Sequence, residues 1–177
     1  MPEQLPKLVN DTVINVAQLL KLQVGNHRQV DLHLDQFQLD AELWAHDVDG
    51  ALRLTRIATG ILVHGKIHGT ATLECVRCLN EFEASFDTSF DGEFQPSIDV
   101  TTGYPMPRPE SDEVFIISHN HELDLKELLR QEAIVALPMR PVCGDSCPGF
   151  VAEYGEEGAG EDQRFAVLRD LLDERAG

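Results

Sequence analysis

The sequence predicts an α+β fold: mainly antiparallel β-sheet, with a short N-terminal helix and C-terminal helices, stapled by a four-cysteine site. Three observations carry this. Short runs of alternating apolar and polar residues, rich in β-formers, extend from Gln29 to Phe94. Capping-box patterns occur on both sides of that region, at Asn15-Val-Ala-Gln18 and Asp124-Leu-Lys-Glu127. The only four cysteines fall into two close pairs, Cys75-Val-Arg-Cys78 and Cys143-Gly-Asp-Ser-Cys147. Alternation marks strands with one buried face, and a side chain that can cap an amide followed three residues later by Glu or Gln marks a helix start.

In chain order, the first capping box opens a short helix expected to run through Leu22, with Gly25 as its stop. Strands follow at Val30–Leu34, Leu52–Ile57, Ile61–Ile67 and Thr70–Leu73. Phe82, Phe86, Phe90 and Phe94 recur every four residues. That spacing fits a helix as well as a long strand or hairpin; the acids, Thr and Ser alternating between the rings favour strand. Residues 95–113 hold Pro96, Gly103, Pro105, Pro107 and Pro109 and read as a mobile loop. A short strand at Val114–Ile117 precedes the second capping box, whose helix carries Leu125, Leu128, Leu129 and Ala133 on one face and ends at Pro138. Residues 1–150 are thus expected to form a β-rich domain containing the paired cysteines. Residues 151–177 are expected to form an acidic connector and an amphipathic helix with Phe165, Leu168, Leu171 and Leu172.

The chain has 177 residues, 42% of them hydrophobic, enough to bury a core. No stretch approaches the roughly 20 apolar residues of a membrane span, and Met1–Lys7 lacks the apolar core of a signal peptide, so the expected compartment is the cytoplasm. Reducing conditions there make paired cysteines metal ligands or redox groups more naturally than disulfides. Two short chelating loops offering soft thiolates suit one tetrahedral zinc ion, held by Cys75, Cys78, Cys143 and Cys147 in a structural role. The plain alternative is four small buried side chains in separate places.

Thirty-one acidic residues against 14 basic ones give a net charge of −17. Such a chain is a poor binder of polyphosphate. Residues 80–127 alone hold twelve acids against Arg108 and Lys126. This run reads either as a solvated surface or as a docking face for a basic partner. His119 and His121 lack the spacing of a helical zinc hydrolase and are expected to be surface histidines, whereas His64 and His68 lie in strand pattern and are expected to be partly exposed sheet residues. No phosphate loop, nucleophile elbow or clustered Ser, His and Asp set occurs, and no catalytic residue or small-molecule substrate is assigned.

Cys75-Val-Arg-Cys78-Leu79, set after a β-rich half and followed by a helix, Cys143, Cys147-Pro-Gly149 and a late Asp162-Gln-Arg164 before a Leu-rich segment, resembles the YceD family of large ribosomal RNA subunit accumulation proteins. Many members continue into a further paired-cysteine segment, where this chain has Val151 and Tyr154. The remaining four thiols are either a complete site or the remnant of a larger one, and the full tetrahedral count favours the former. The resemblance implies a non-enzymatic role in accumulation of large-subunit (23S) ribosomal RNA. The acidity of the chain suggests acting through a basic ribosomal protein or an RNA-processing factor, with any ribosomal RNA contact indirect or weak. Two other readings stand beside it. One is a direct RNA-binding zinc module using Arg77 and Arg140; the other is a thiol redox protein using Cys75 or Cys78.

Overall fold

A computed structural model describes residues 7–149, apart from Glu110 and Asp112. Four long strands dominate it: β3 (His27–Gln38), β4 (Trp44–Arg56), β5 (Ile61–Glu74) and β6 (Glu81–Pro96), after short strands β1 (Lys7–Val9) and β2 (Val13–Asn15) and helix α1 (Ala17–Leu20). Strands β7 (Phe115–Ile117) and β8 (Glu122–Asp124) and helix α2 (Lys126–Ala136) complete the described residues. The six-stranded sheet has the order β1-β3-β4-β5-β6-β7, with β2 and β8 forming a separate antiparallel pair. The four central strands make an antiparallel meander, and the short edge strands β1 and β7 pair in parallel. The mainly antiparallel sheet is as the sequence predicts.

The phenylalanine spacing resolves as strand. Along β6, Phe86, Phe90 and Phe94 are buried and the residues between them alternate outward. The four-residue recurrence arises because large rings occupy every second inward position, with Ala84, Thr88 and Gly92 between them. Phe86 lies opposite Gly69 and Phe90 opposite Gly65. A Cβ on Gly65 would stand 2.9 Å from Phe90 Cζ and 2.5 Å from Leu52 Cδ2, so each ring fills the space its cross-strand glycine leaves. The expected strands at Ile61–Ile67 and Thr70–Leu73 are one continuous β5, because Gly69 is accommodated by Phe86 instead of breaking the ladder.

One face of the sheet carries the core. Val30, Leu32, Leu52, Leu54, Val63 and Ile67 join the phenylalanines there with Leu19 and Leu20 of α1 and Leu128, Leu129 and Ala133 of α2. Helix α2 packs on β6 where Gly92 admits Leu128, whose Cδ2 would lie 2.5 Å from a Cβ at that position. It starts where the sequence places it, but without the expected capping box: Lys126 N–H donates to Asp124 Oδ1 at 2.8 Å, while the Glu127 carboxylate accepts from Arg130 and Gln131 instead of reaching back to the helix start. Leu137, preceding Pro138, is extended (φ −70°, ψ 148°), the conformation a following proline enforces.

Two expectations change. Helix α1 stops at Leu20 and not Leu22, since Lys21 and Leu22 donate to Gln18 O and Leu19 O, three residues back, which tightens the last turn. Its first turn uses Asn15, whose Oδ1 accepts from Ala17 N–H at 3.2 Å. The proline-rich stretch, expected to be a mobile loop, contains a hydrogen-bonded turn. Asp99 Oδ1 accepts from the Thr101 and Thr102 amides (3.0 and 2.7 Å), and Met106 N–H returns to Ser97 O. Those amides and the Thr102 hydroxyl hold the Asp99 carboxyl below its ordinary value. The expected connector and helix of residues 151–177 lie outside the described residues.

The outer face of the sheet is polar. His33 Nδ1 meets Asp49 Oδ1 at 2.7 Å, and His64 Nδ1 meets Asp91 Oδ1 at 2.8 Å, both pairs directly cross-strand. No helix among the described residues is long and apolar enough to cross a membrane.

Candidate metal centre

Two loops at the same end of the sheet supply the cysteines. The first is the turn between β5 and β6, beginning at Cys75 immediately after Glu74 and ending at Asn80. Cys75 N–H donates to Asn80 O and Leu79 N–H to Cys75 O, each at 2.9 Å. Closing so tightly puts Leu79 in the left-handed region, at φ 61°, which a branched side chain adopts only at a cost. The second loop follows Pro138. Val76 N–H donates to Pro141 O at 3.0 Å, laying the second loop along the first, and Gly144, at φ 137°, turns the chain so that Cys147 N–H reaches Gly144 O at 3.2 Å.

The result gathers all four cysteines. Their sulfurs lie within 4.8 Å of one another, with Cys75 Sγ to Cys147 Sγ and Cys78 Sγ to Cys143 Sγ both 3.7 Å. Four thiolates placed tetrahedrally about 2.3 Å from an ion stand about 3.8 Å apart, close to the two shortest separations. A disulfide requires about 2.05 Å, and all four thiols are free. The arrangement is compatible with a metal ion. Cys75 and Cys147 are buried, Cys78 is half-buried and Cys143 is exposed, so the donor set is sheltered on one side and open on the other.

The backbone favours thiolate at the innermost position. Burial pushes the Cys75 thiol up, but amides of Cys143, Arg77 and Cys78 outweigh it and bring the group to about 6. The Cys143 amide is 3.5 Å from Cys75 Sγ. The neighbouring sulfurs act oppositely on Cys143: hydrogen bonding with Cys147, then burial, then Cys78 and Cys75 push its thiol up to about 12. For Cys78 the Asn80 amide favours the thiolate, but burial and Cys75 oppose it and the net direction is upward. Four sulfurs this close resist ionising together unless a cation offsets their charge.

The histidines do not join a second such group. Among the described residues the cysteine quartet is the one cluster of three or more Cys, His, Asp or Glu donors in mutual reach. The His64 and His68 side chains are 56% and 65% exposed on the outer sheet face, as expected of partly exposed sheet residues, whereas His121, expected at the surface, is half-buried with its Nδ1 enclosed. His33, which carries no sequence motif, is bracketed by Asp49 and Asp35. The register of β3 against β4, constant from His27↔Thr55 to Gln38↔Trp44, sets His33 opposite Asp49, and nothing in the sequence fixes that register.

Comparison with known proteins places the chain in a family. Residues 63–172 match the family model described as large ribosomal RNA subunit accumulation protein YceD. An uncharacterized protein of Mycobacterium leprae is 27% identical over 140 residues, covering 73% of this chain and 61% of its own. Uncharacterized proteins of Mycobacterium bovis and Mycobacterium tuberculosis are each 28% identical over 136 residues, covering 71% of this chain and 62% of theirs. The chain thus spans about three fifths of the length of these curated relatives. No solved structure matches.

Proposed function

The chain belongs to the YceD family of large ribosomal RNA subunit accumulation proteins, and from that premise we propose that it is a non-enzymatic ribosome biogenesis factor of the cytoplasm. It supports accumulation of large-subunit (23S) ribosomal RNA by binding a basic ribosomal protein or an RNA-processing factor. The observation that carries this reading is the family match across residues 63–172, whose description names an accumulation role and no reaction. The net charge of −17 favours a protein partner over a direct grip on RNA, because phosphate contacts need clustered Lys and Arg.

The four cysteines hold zinc in a structural role on this reading. Soft donors, separations near those of a tetrahedral four-thiolate site and donating amides around the inner sulfur all support zinc. Zinc with four thiolates carries a net charge of about −2, so even the metal centre adds nothing basic for RNA. A quartet in mutual reach also fits metal binding better than a two-thiol redox couple.

The test is the ratio of large- to small-subunit ribosomal RNA in cells with and without the protein. A selective fall of the large-subunit species is expected on its loss. An unchanged ratio would remove the biogenesis role and leave only the metal centre.

A further inference from the structure

We propose that the outer edge of β6, from Glu81 to Glu93, accepts an extended lysine- or arginine-rich segment of a protein partner as an additional strand. This rests on the basic-partner reading above and assigns it a surface and a mode of binding.

The sheet leaves this edge open. β5 pairs with β6 from Glu81 to Phe94, whereas β7 pairs with it only at Phe94–Pro96. Among the described residues no strand lies along the other side of β6 between Glu81 and Glu93. Alternate residues of such an edge direct both N–H and C=O away from the sheet, a template for one more chain.

Charge selects the occupant. On the outer face of β6, Glu81, Glu83 and Asp87 are exposed, and their side chains make no hydrogen bond or ion pair among the described residues. Asp91 and Glu93, further along, are already engaged by His64 and Thr59. Glu81 also stands directly opposite Glu74, a like-charge cross-strand pair that costs stability in the free protein. An added strand would bring its own side chains about 5 Å from these carboxylates. Cations there would relieve the repulsion. A second copy of the same edge would increase it, and RNA would bring more negative charge and no strand ladder.

The inner side of the edge sets the rest of the pattern. Phe82 and Ala84 are only half-buried, and α2 meets β6 at Gly92, beyond them. A partner strand alternating basic and apolar residues would therefore place cations against Glu81, Glu83 and Asp87 and apolar groups beside Phe82 and Ala84. The Cys75–Asn80 turn leads directly into Glu81, so the metal centre fixes the start of the edge.

The experiment titrates the full-length, metal-loaded protein with a short peptide alternating lysine and valine. Two further versions of the peptide are N-methylated on one or the other set of alternate residues. Edge addition predicts binding, loss of binding for only one N-methylated version, slowed amide exchange along Glu81–Glu93, and affinity lower by about tenfold or more in a Glu83→Lys, Asp87→Lys variant. Equal binding of both N-methylated versions would overturn the edge mode and point to the outer-face hollow of about 370 Å³ lined by Glu42, Trp44 and Glu81. Absence of binding would also overturn it. Neither contrary result touches the biogenesis role, which the ribosomal RNA ratio decides separately; a doubly substituted chain that still restores that ratio would show that the function does not use this edge.

Discussion

At Gly65 the fold depends on an absent Cβ. Leu52 and Phe90 already occupy the space a methyl group would need, at 2.5 and 2.9 Å. Gly65→Ala should therefore cost about 1–3 kcal/mol by overpacking, seen as a lower urea midpoint with an unchanged slope. His33 sits between two carboxylates on the outer face. The hydrogen bond to Asp49, more than that to Asp35, raises its imidazole above the ordinary 6.5. A raised group contributes stability fully below its unfolded value and loses it as pH rises through its folded value. The thermal midpoint should accordingly contain a component that declines upward from about pH 6.5, and Asp49→Asn should flatten it; an unchanged pH profile would show that the pair contributes nothing. The identity of each glycine was visible in the sequence, but its neighbours were not. Gly65 and Gly69 acquire their meaning only from the β5–β6 register that sets phenylalanines across from them.

At the scale of elements, legibility followed length and periodicity. The 16 residues of β6 display enough alternation to be read as strand, and α2 announced itself by Asp124 and its leucine stripe. β1, β2 and β8 have three residues each, too few for any period, and are held by pairing with distant segments, whereas the equally short β7 was legible as the apolar run Val114–Ile117. The turn at residues 97–106 was hidden for a different reason: its proline content signals a break but not the Asp99 side chain that organises it. For α2 the Asp124 hydrogen bond at its start is testable. Lys126 N–H loses its Asp124 acceptor in Asp124→Ala, which should cost about 1 kcal/mol, whereas Asp124→Asn should recover most of it. Thermal unfolding of the two variants distinguishes capping from charge.

For the whole molecule, the meander provides a helix-covered apolar face and a polar outer face, and the cysteine centre joins its two halves. The β5–β6 turn belongs to the sheet, and the second loop follows α2; between their closest cysteines the chain runs for 64 residues. A metal closing so long a loop adds its binding free energy to folding, because the donors are not assembled in the unfolded chain. The quartet itself was legible from two close spacings in a chain with no other cysteine. The amides that favour the Cys75 thiolate were not, since they depend on the left-handed turn at Leu79 and on the second loop lying against the first. The measurement that tests the centre most directly is the zinc content per chain of the purified full-length protein, beside that of Cys75→Ser and Cys147→Ser. One zinc per wild-type chain is expected, with its loss in both variants and a fall of the thermal midpoint on chelation. A wild-type chain that folds and melts normally without zinc, or variants with unchanged zinc and midpoint, would contradict it.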